Sequence, residues 1–403
     1  MKKLSPFFMT LLLLQVALSS CNGQTTTMQK EKTSKQFTEG KDFLVYERVR
    51  LMDNTGFTTP QEAYSILLPK GWKHESGIIW SNPGSGCDGT NHQLRASSAD
   101  SNYQFMVYPD LVFGWVTNSQ GMPMNSNQRS NSPYCGTGQP IQAEQYLRNV
   151  FARELGNPEV IEVTSNQGVI DDMRQSNEKN MRELQQYGAG QMRFDQTAIN
   201  AKVRWANGNE GWVVLGITIT EGIIPNVYNG TYDKVYTTLV TKRTVFTYPG
   251  AEAQKAKDQF SVIMSSWRTN PVWSNAVNKF WKETRQQSNI AHVGRIQLID
   301  EQTRQIGKQA IRNGNERLKT MDVQMRNWEQ QQSSQDRIHT EFIKTIREVE
   351  NYQDASGKYE MSSGYSHAWS RGDGSSFVMS NNPNFDASSF FQDQNWKEMK
   401  RVR

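Results

Sequence analysis

The run from Met192 to Tyr248 constrains the fold more than any other stretch. Met192 to Trp205 alternates, with Ile199, Ala201, Val203 and Trp205 falling on one face. The turn Asn207-Gly208-Asn209 follows, then Trp212-Val213-Val214-Leu215-Gly216-Ile217-Thr218-Ile219, then a third run from Tyr236 to Tyr248. Alternation joined by an Asn-Gly step is a hairpin signature. An antiparallel sheet must therefore lie near the centre, and other elements must cover its apolar face.

Shorter strands precede it. Phe43 to Tyr46 with Val49 to Leu51 read as a first strand, and Tyr64 to Leu68 as a second that stops at Pro69-Lys70-Gly71. Ile78 to Trp80, His92 to Ala99, Tyr103 to Tyr108 and Phe113 to Val116 follow, and residues 118–140 form a long polar loop. Helices are expected at Ile141 to Leu155 and Ile170 to Tyr187, stopped by Gly156 and Gly188, with a strand at Val160 to Val163 between them. A helix from Ala251 to Trp267 presents Ala256, Phe260, Ile263 and Met264 to the sheet. The expected class for residues 41–270 is α+β with a mainly antiparallel sheet. The Tyr-Ser-Ile-Leu-Leu-Pro-Lys-Gly-Trp stretch at 64–72 and the order of elements resemble the PsbP-like α/β/α sandwich. That resemblance implies a mostly non-catalytic, ligand-binding fold.

Residues 271–350 change texture. Gln, Arg, Glu and Asn dominate, and Leu318, Met321, Met325, Trp328, Phe342, Ile346 and Val349 recur at helical spacing around a polar middle of Gln332, Gln335 and His339. This predicts a long helical, coiled-coil-like segment, broken at Gly294, Gly307 and Gly314, that lies on the first domain or on a second copy. Residues 351–403 predict a small β-meander module. Ser363-Gly364-Tyr365, Ala368-Trp369 and Asn382 to Asp386 resemble a small module found at the ends of bacterial proteins. Its candidate ligand-binding rings are Tyr352, Tyr365, Trp369, Phe377 and Trp396. Packing of a mini-sheet accounts for most of them; the functional alternative is that one or two stay exposed as a platform for a glycan or an extended peptide.

The amino terminus sets the compartment. Lys2 and Lys3 precede an apolar stretch from Phe7 to Leu18, the pattern of a secretory signal. It ends in Leu18-Ser19-Ser20-Cys21, which resembles a bacterial lipobox. The resemblance implies removal of residues 1–20, lipidation of Cys21, a membrane anchor held by several acyl chains, and residence in the cell envelope on its periplasmic side or at the cell surface. Residues 21–40 then read as a flexible tether, too polar to fold alone. In an exported protein, the two remaining cysteines, Cys87 and Cys135, predict one disulfide.

Most chemistry is excluded. The formal charge of +5 falls by two when Lys2 and Lys3 leave, which gives no ground for nucleic acid as a partner. The five histidines form no His-x-x-x-His pair, so no metal or cofactor is expected. Pro83-Gly84-Ser85-Gly86-Cys87 lacks the glycine a hydrolase elbow needs two residues before its serine. Asp171-Asp172 reads as the acidic first turn of a helix, and Arg371-Gly372-Asp373-Gly374 as a turn. The sequence thus favours a lipid-anchored, non-enzymatic envelope protein that binds a protein partner or a wall glycan. The alternatives are a homo-oligomeric structural subunit assembling through residues 271–350, and an envelope hydrolase.

Overall fold

The alternating runs become the three longest strands of the protein: β9 (Met192–Arg204), β10 (Asn209–Asn226) and β11 (Thr231–Pro249). The β9–β10 turn closes with the Gly208 N–H donating to Trp205 O, and Gly208 sits at φ 84°, where a side chain would be strained. The structure is a computed structural model that describes residues 37–83, 89–124, 132–185, 192–226, 231–286, 349–354, 357–362, 365–391 and 395–402.

Four further strands join these three in one sheet: β3 (Lys73–Trp80), β4 (Thr90–Ser97), β5 (Gln104–Val107) and β8 (Glu159–Ser165), in the order β3-β4-β5-β11-β10-β9-β8. Along the other half of β11 runs β6 (Leu111–Thr117), which pairs in parallel with the short β7 (Cys135–Thr137). A second sheet contains β1 (Phe43–Asp53), β2 (Gln61–Pro69), β12 (Arg268–Thr269), β15 (His367–Ser370), β16 (Ser376–Ser380) and β17 (Lys397–Glu398). Its order is β12-β2-β1-β16-β15-β17. A third, small sheet holds β13 (Val349–Asp354), β14 (Gly357–Ser362) and β18 (Lys400–Val402).

Helices fill the spaces between and around the sheets. α1 (Ala143–Tyr146) continues through a π-turn at Leu147–Phe151 into α2 (Ala152–Glu154). Its Tyr146, Leu147 and Phe151 cover Ile199, Ala201, Val213, Leu215 and Ile217 on one face of the large sheet. On the opposite face, α4 (Ala253–Ser265) packs Ala256, Phe260, Ile263 and Met264 between Leu51, Ile66 and Leu68 of the second sheet and Phe105, Val214, Phe246 and Tyr248 of the large one. Each such side chain contributes about 1.5–3 kcal/mol of transfer free energy when fully buried. α3 (Gln167–Gln185) rests Val169 and Met173 on Ala198. α5 (Pro271–Gln286) lays Trp273, Val277, Phe280 and Trp281 against Phe57, Ile78 and Trp80. A last short helix, α6, spans Ala387–Phe390.

The expected class needs correction. The chain is β-rich, built of mostly antiparallel sheets with short helices, rather than an α+β PsbP-like sandwich followed by a long helix and a separate meander. Individual elements fall close to their expected positions; their assembly differs. Of the carboxy-terminal strands, β13, β14 and β18 form the small third sheet, whereas β16 adds to the edge of β1 in the register Val45↔Val378 and Tyr46↔Phe377 and carries β15 and β17 with it. Residues Phe37 to Arg403 cluster as one compact unit. Within 271–350 the described residues form only α5 and the first residues of β13, with no long helical or coiled-coil segment among them. The stripe from Leu318 to Ile346 lies outside the described residues, as do Cys21, most of the tether and Cys87. Cys135 is disulfide-bonded; its pairing with Cys87 remains a proposal.

Candidate ligand-binding face

The rings singled out in the last fifty residues do not form a platform. Tyr352, Tyr365, Trp369, Phe377 and Trp396 are all at most 7% exposed. Trp369 and Trp396 share a cluster with Phe43, Val45, Val378 and Phe385, while Tyr352, Tyr365 and Phe377 pack with Tyr46, Leu67 and Val262. The Tyr352 hydroxyl donates to Tyr365 O at 3.1 Å, and the Trp369 and Phe385 rings meet edge-on at 5.5 Å. A module of this size cannot bury so many rings within itself. It buries them against β1 instead.

An exposed aromatic strip exists elsewhere, on the outer half of the large sheet. Successive residues of a strand alternate faces, and directly paired residues share one. β6 pairs with β11 as Phe113↔Thr238, Trp115↔Tyr236 and Thr117↔Lys234, and β10 pairs with it as Ile219↔Thr238, Glu221↔Tyr236 and Ile223↔Lys234. Phe113, Trp115, Tyr236, Tyr232 and Ile223 therefore stand on one face. Phe113 and Tyr236 lean on the core under α1. Trp115 and Tyr236 are half-buried, and the strip ends in open solvent at Tyr232 (41% exposed) and Ile223 (58% exposed). Lys234 lies between the two tyrosines and pairs with Glu221 at 3.4 Å. Its ammonium is held above the usual lysine value by the Glu221 hydrogen bond first, then by Tyr236. β9 adds Arg193 opposite Glu221 and Asp195 opposite Ile219, and Asp195 accepts from Gln142 Nε2 at 2.7 Å beside the start of α1. Thr117 and Thr238 carry buried hydroxyls on this face that have no hydrogen-bond partner among the described residues.

Close packing under Phe113 holds the inner end of the strip. A Cβ on Gly136 of β7 would approach the Phe113 ring to 3.0 Å, so glycine lets β7 lie alongside β6. Sequence reading marked the strands but not the strip. Its signal was present as the period-2 pairs Phe113/Trp115 and Tyr232/Tyr236, but only the register of β6 against β11 merges them.

A second cluster gathers ionisable groups on the opposite face of the sheet. A bulge in β11 sets Lys242 and Arg243 against Leu215, with Lys242 at φ 57°. Lys242 couples to His92, Asp110 and Asp172. Burial holds His92 down to about 4, with Lys242 adding to the effect, among the rings of Tyr64 and Trp267 at 4.8 and 5.4 Å. Burial raises Asp110 and Asp172 to about 6 each, against the pull of Lys242. Asn91 anchors the Asp110 backbone through bonds of 2.8 and 2.9 Å. The rings close on one another (Tyr64 to Trp267 is 5.3 Å), so this cluster packs the seam between the sheets. Asp171 pairs with Arg174 at 2.8 Å in the first turns of α3, whereas Asp172 faces inward. Among the described residues no group of three His, Cys, Asp or Glu could hold a metal ion, and no helix is long and apolar enough to cross a membrane.

No family model, no curated protein and no solved structure matches the chain. The reading of function therefore rests on the residues themselves.

Proposed function

We propose that the chain is a lipid-anchored, non-enzymatic protein of the bacterial cell envelope that holds an extended partner, a protein or a wall glycan, against the β6–β11–β10 face. The observation that supports this reading most is the aromatic strip. Half-buried Trp115 and Tyr236, continued by exposed Tyr232 and Ile223, form an apolar surface with polar groups at its margins, the makeup of a recognition surface. The lipobox ending in Cys21 supports the anchor.

Membrane fractionation and in-cell crosslinking test the proposal together. Cys21→Ala should abolish lipid labelling and release the protein from membranes. A photo-reactive residue at position 193, on the same face opposite Glu221 and outside the rings, should give a discrete adduct in intact cells. Retention of Cys21→Ala in the membrane fraction would refute the anchor. The absence of any adduct from position 193 would refute the binding face.

A further inference from the structure

We infer that the β6–β11–β10 face takes an uncharged oligosaccharide chain, stacked on Trp115, Tyr236 and Tyr232; this rests on the binding reading above and specifies its ligand.

Backbone pairing argues against a peptide first. Extended peptides are most often captured at a free sheet edge, where main-chain hydrogen bonds supply affinity. None is free here. Lys234 to Thr238 of β11 pair with β6 on one side and with β10 on the other. The outer side of β6 is also taken, since Val112 N donates to Tyr134 O, Gly138 N to Gly114 O and Met124 N to Val116 O. A ligand on this face meets ring faces and side-chain polar groups, not backbone.

Charge argues next. Lys234 and Arg193 share the face with Glu221 and Asp195, so cations and carboxylates balance. Lys234 and Glu221 are already paired at 3.4 Å. A polyanion would gain from two cations and be repelled by two carboxylates, which leaves no net steering. An uncharged partner loses nothing by this balance.

Shape and polar capacity complete the inference. Tyr232 and Tyr236 are four residues apart on one strand, roughly 13 Å at about 3.3 Å per residue, which suits a chain of rings better than a single one. Sugar rings present an apolar C–H face for stacking and hydroxyls at the edge. Glu221 and Lys234 flank the rings to meet such hydroxyls, and the phenol hydroxyls of Tyr232 and Tyr236 add donor and acceptor capacity.

The test titrates the full-length protein in detergent with the hexasaccharide of N-acetylglucosamine and with cellohexaose, using polygalacturonate as the charged comparison. Tryptophan fluorescence and calorimetry are the readouts. Saturable binding of at least one neutral hexasaccharide is expected. Tyr232→Ala, at an exposed position, and Trp115→Ala should each weaken it by about tenfold, the loss usual for a central aromatic contact. Their melting transitions should stay in place. No saturable binding of either neutral hexasaccharide, affinity unchanged in both variants, or preference for polygalacturonate would overturn the inference. In-cell crosslinking from position 193, which keeps all the stacking rings, separates the two levels. A protein adduct would end the glycan assignment while leaving the binding reading intact, and no adduct would end both.

Discussion

Asp53 shows how one side chain organises distant parts of the chain. It is fully buried, and its Oδ2 accepts from the indole N–H of Trp80 and of Trp273, both at 2.9 Å. Its Oδ1 accepts from the Gly56 and Thr55 backbone N–H groups at 2.8 and 3.0 Å. The carboxylate is stabilised by donors rather than by a cation, and it ties α5 to β1 and β3. Gly56 lies flat against Trp80, where a Cβ would come within 2.3 Å of the ring. Asp53→Ala would remove the acceptor that Asp53 gives to the Trp80 and Trp273 indole N–H groups, so a loss of ~3 kcal/mol or more is expected in urea unfolding. A change below ~1 kcal/mol would show that water replaces the carboxylate at little cost. Nothing near Asp53 in the sequence marks this role, because its indole partners are 27 and 220 residues away. The Lys242 cluster gives a second expectation. His92 titrates near 4 when folded and near 6.5 when unfolded, so it contributes stability above pH 6.5 that is lost as the pH falls toward 4. Asp110 and Asp172 act oppositely: their folded values near 6 exceed the ordinary 3.8, so their contribution is present below pH 3.8 and lost as pH rises through 6. These terms oppose each other between pH 4 and 6. His92→Gln should leave only the carboxylate terms, so its urea midpoint, relative to the native chain's, should rise on acidification over that range. Parallel midpoint-against-pH curves for the two proteins would contradict the assignment.

At the scale of elements, local pattern was legible and pairing was not. The strands at 43–53, 61–69 and 192–249 follow from alternation and turn residues, and α4 from the spacing of Ala256, Phe260 and Ile263. The partnership of β1 with β16 could not be read, because each strand is compatible with many neighbours and its choice depends on which apolar faces remain uncovered. The same limit hid the partner of the carboxy-terminal rings: core packing was expected for most of them, but within a mini-sheet of their own rather than against Phe43, Val45, Tyr46 and Leu67. Trp369 now carries a definite expectation. It is 3% exposed and stacks among Phe43, Val45, Phe385 and Trp396. Trp369→Ala should cost about 3–5 kcal/mol, as for large aromatics deleted from cores, and should not alter partner capture beyond what unfolding explains. A specific binding defect at unchanged melting temperature would return Trp369 to a functional role.

For the molecule as a whole, the two ends of the described chain form one structure. Tyr46, Leu67 and Val262, at 1% exposure or less, belong to the same cluster as Tyr365, Phe377 and Met379. β1 is an interior strand only because β16 lies beside it, with Ser380 Oγ donating to Asp42 O at 2.6 Å and Arg48 Nε donating to Gly374 O at 2.7 Å across the join. Removing everything after Gln286 would therefore not trim an appendage. It would uncover three core side chains at once and leave β1 as an unpaired, apolar edge, the kind that templates aggregation. A chain ending at Gln286 is expected to be recovered mainly as aggregate, or in a state without the near-ultraviolet circular dichroism of fixed aromatic packing. In the full chain, unfolding followed by near-ultraviolet dichroism and by far-ultraviolet dichroism should give one coincident transition, because both sheets lose their shared core together. A soluble fragment ending at Gln286, with native-like aromatic dichroism and a midpoint close to that of the full chain, would show that the amino-terminal sheets stand alone and that β16 is an addition rather than a structural requirement.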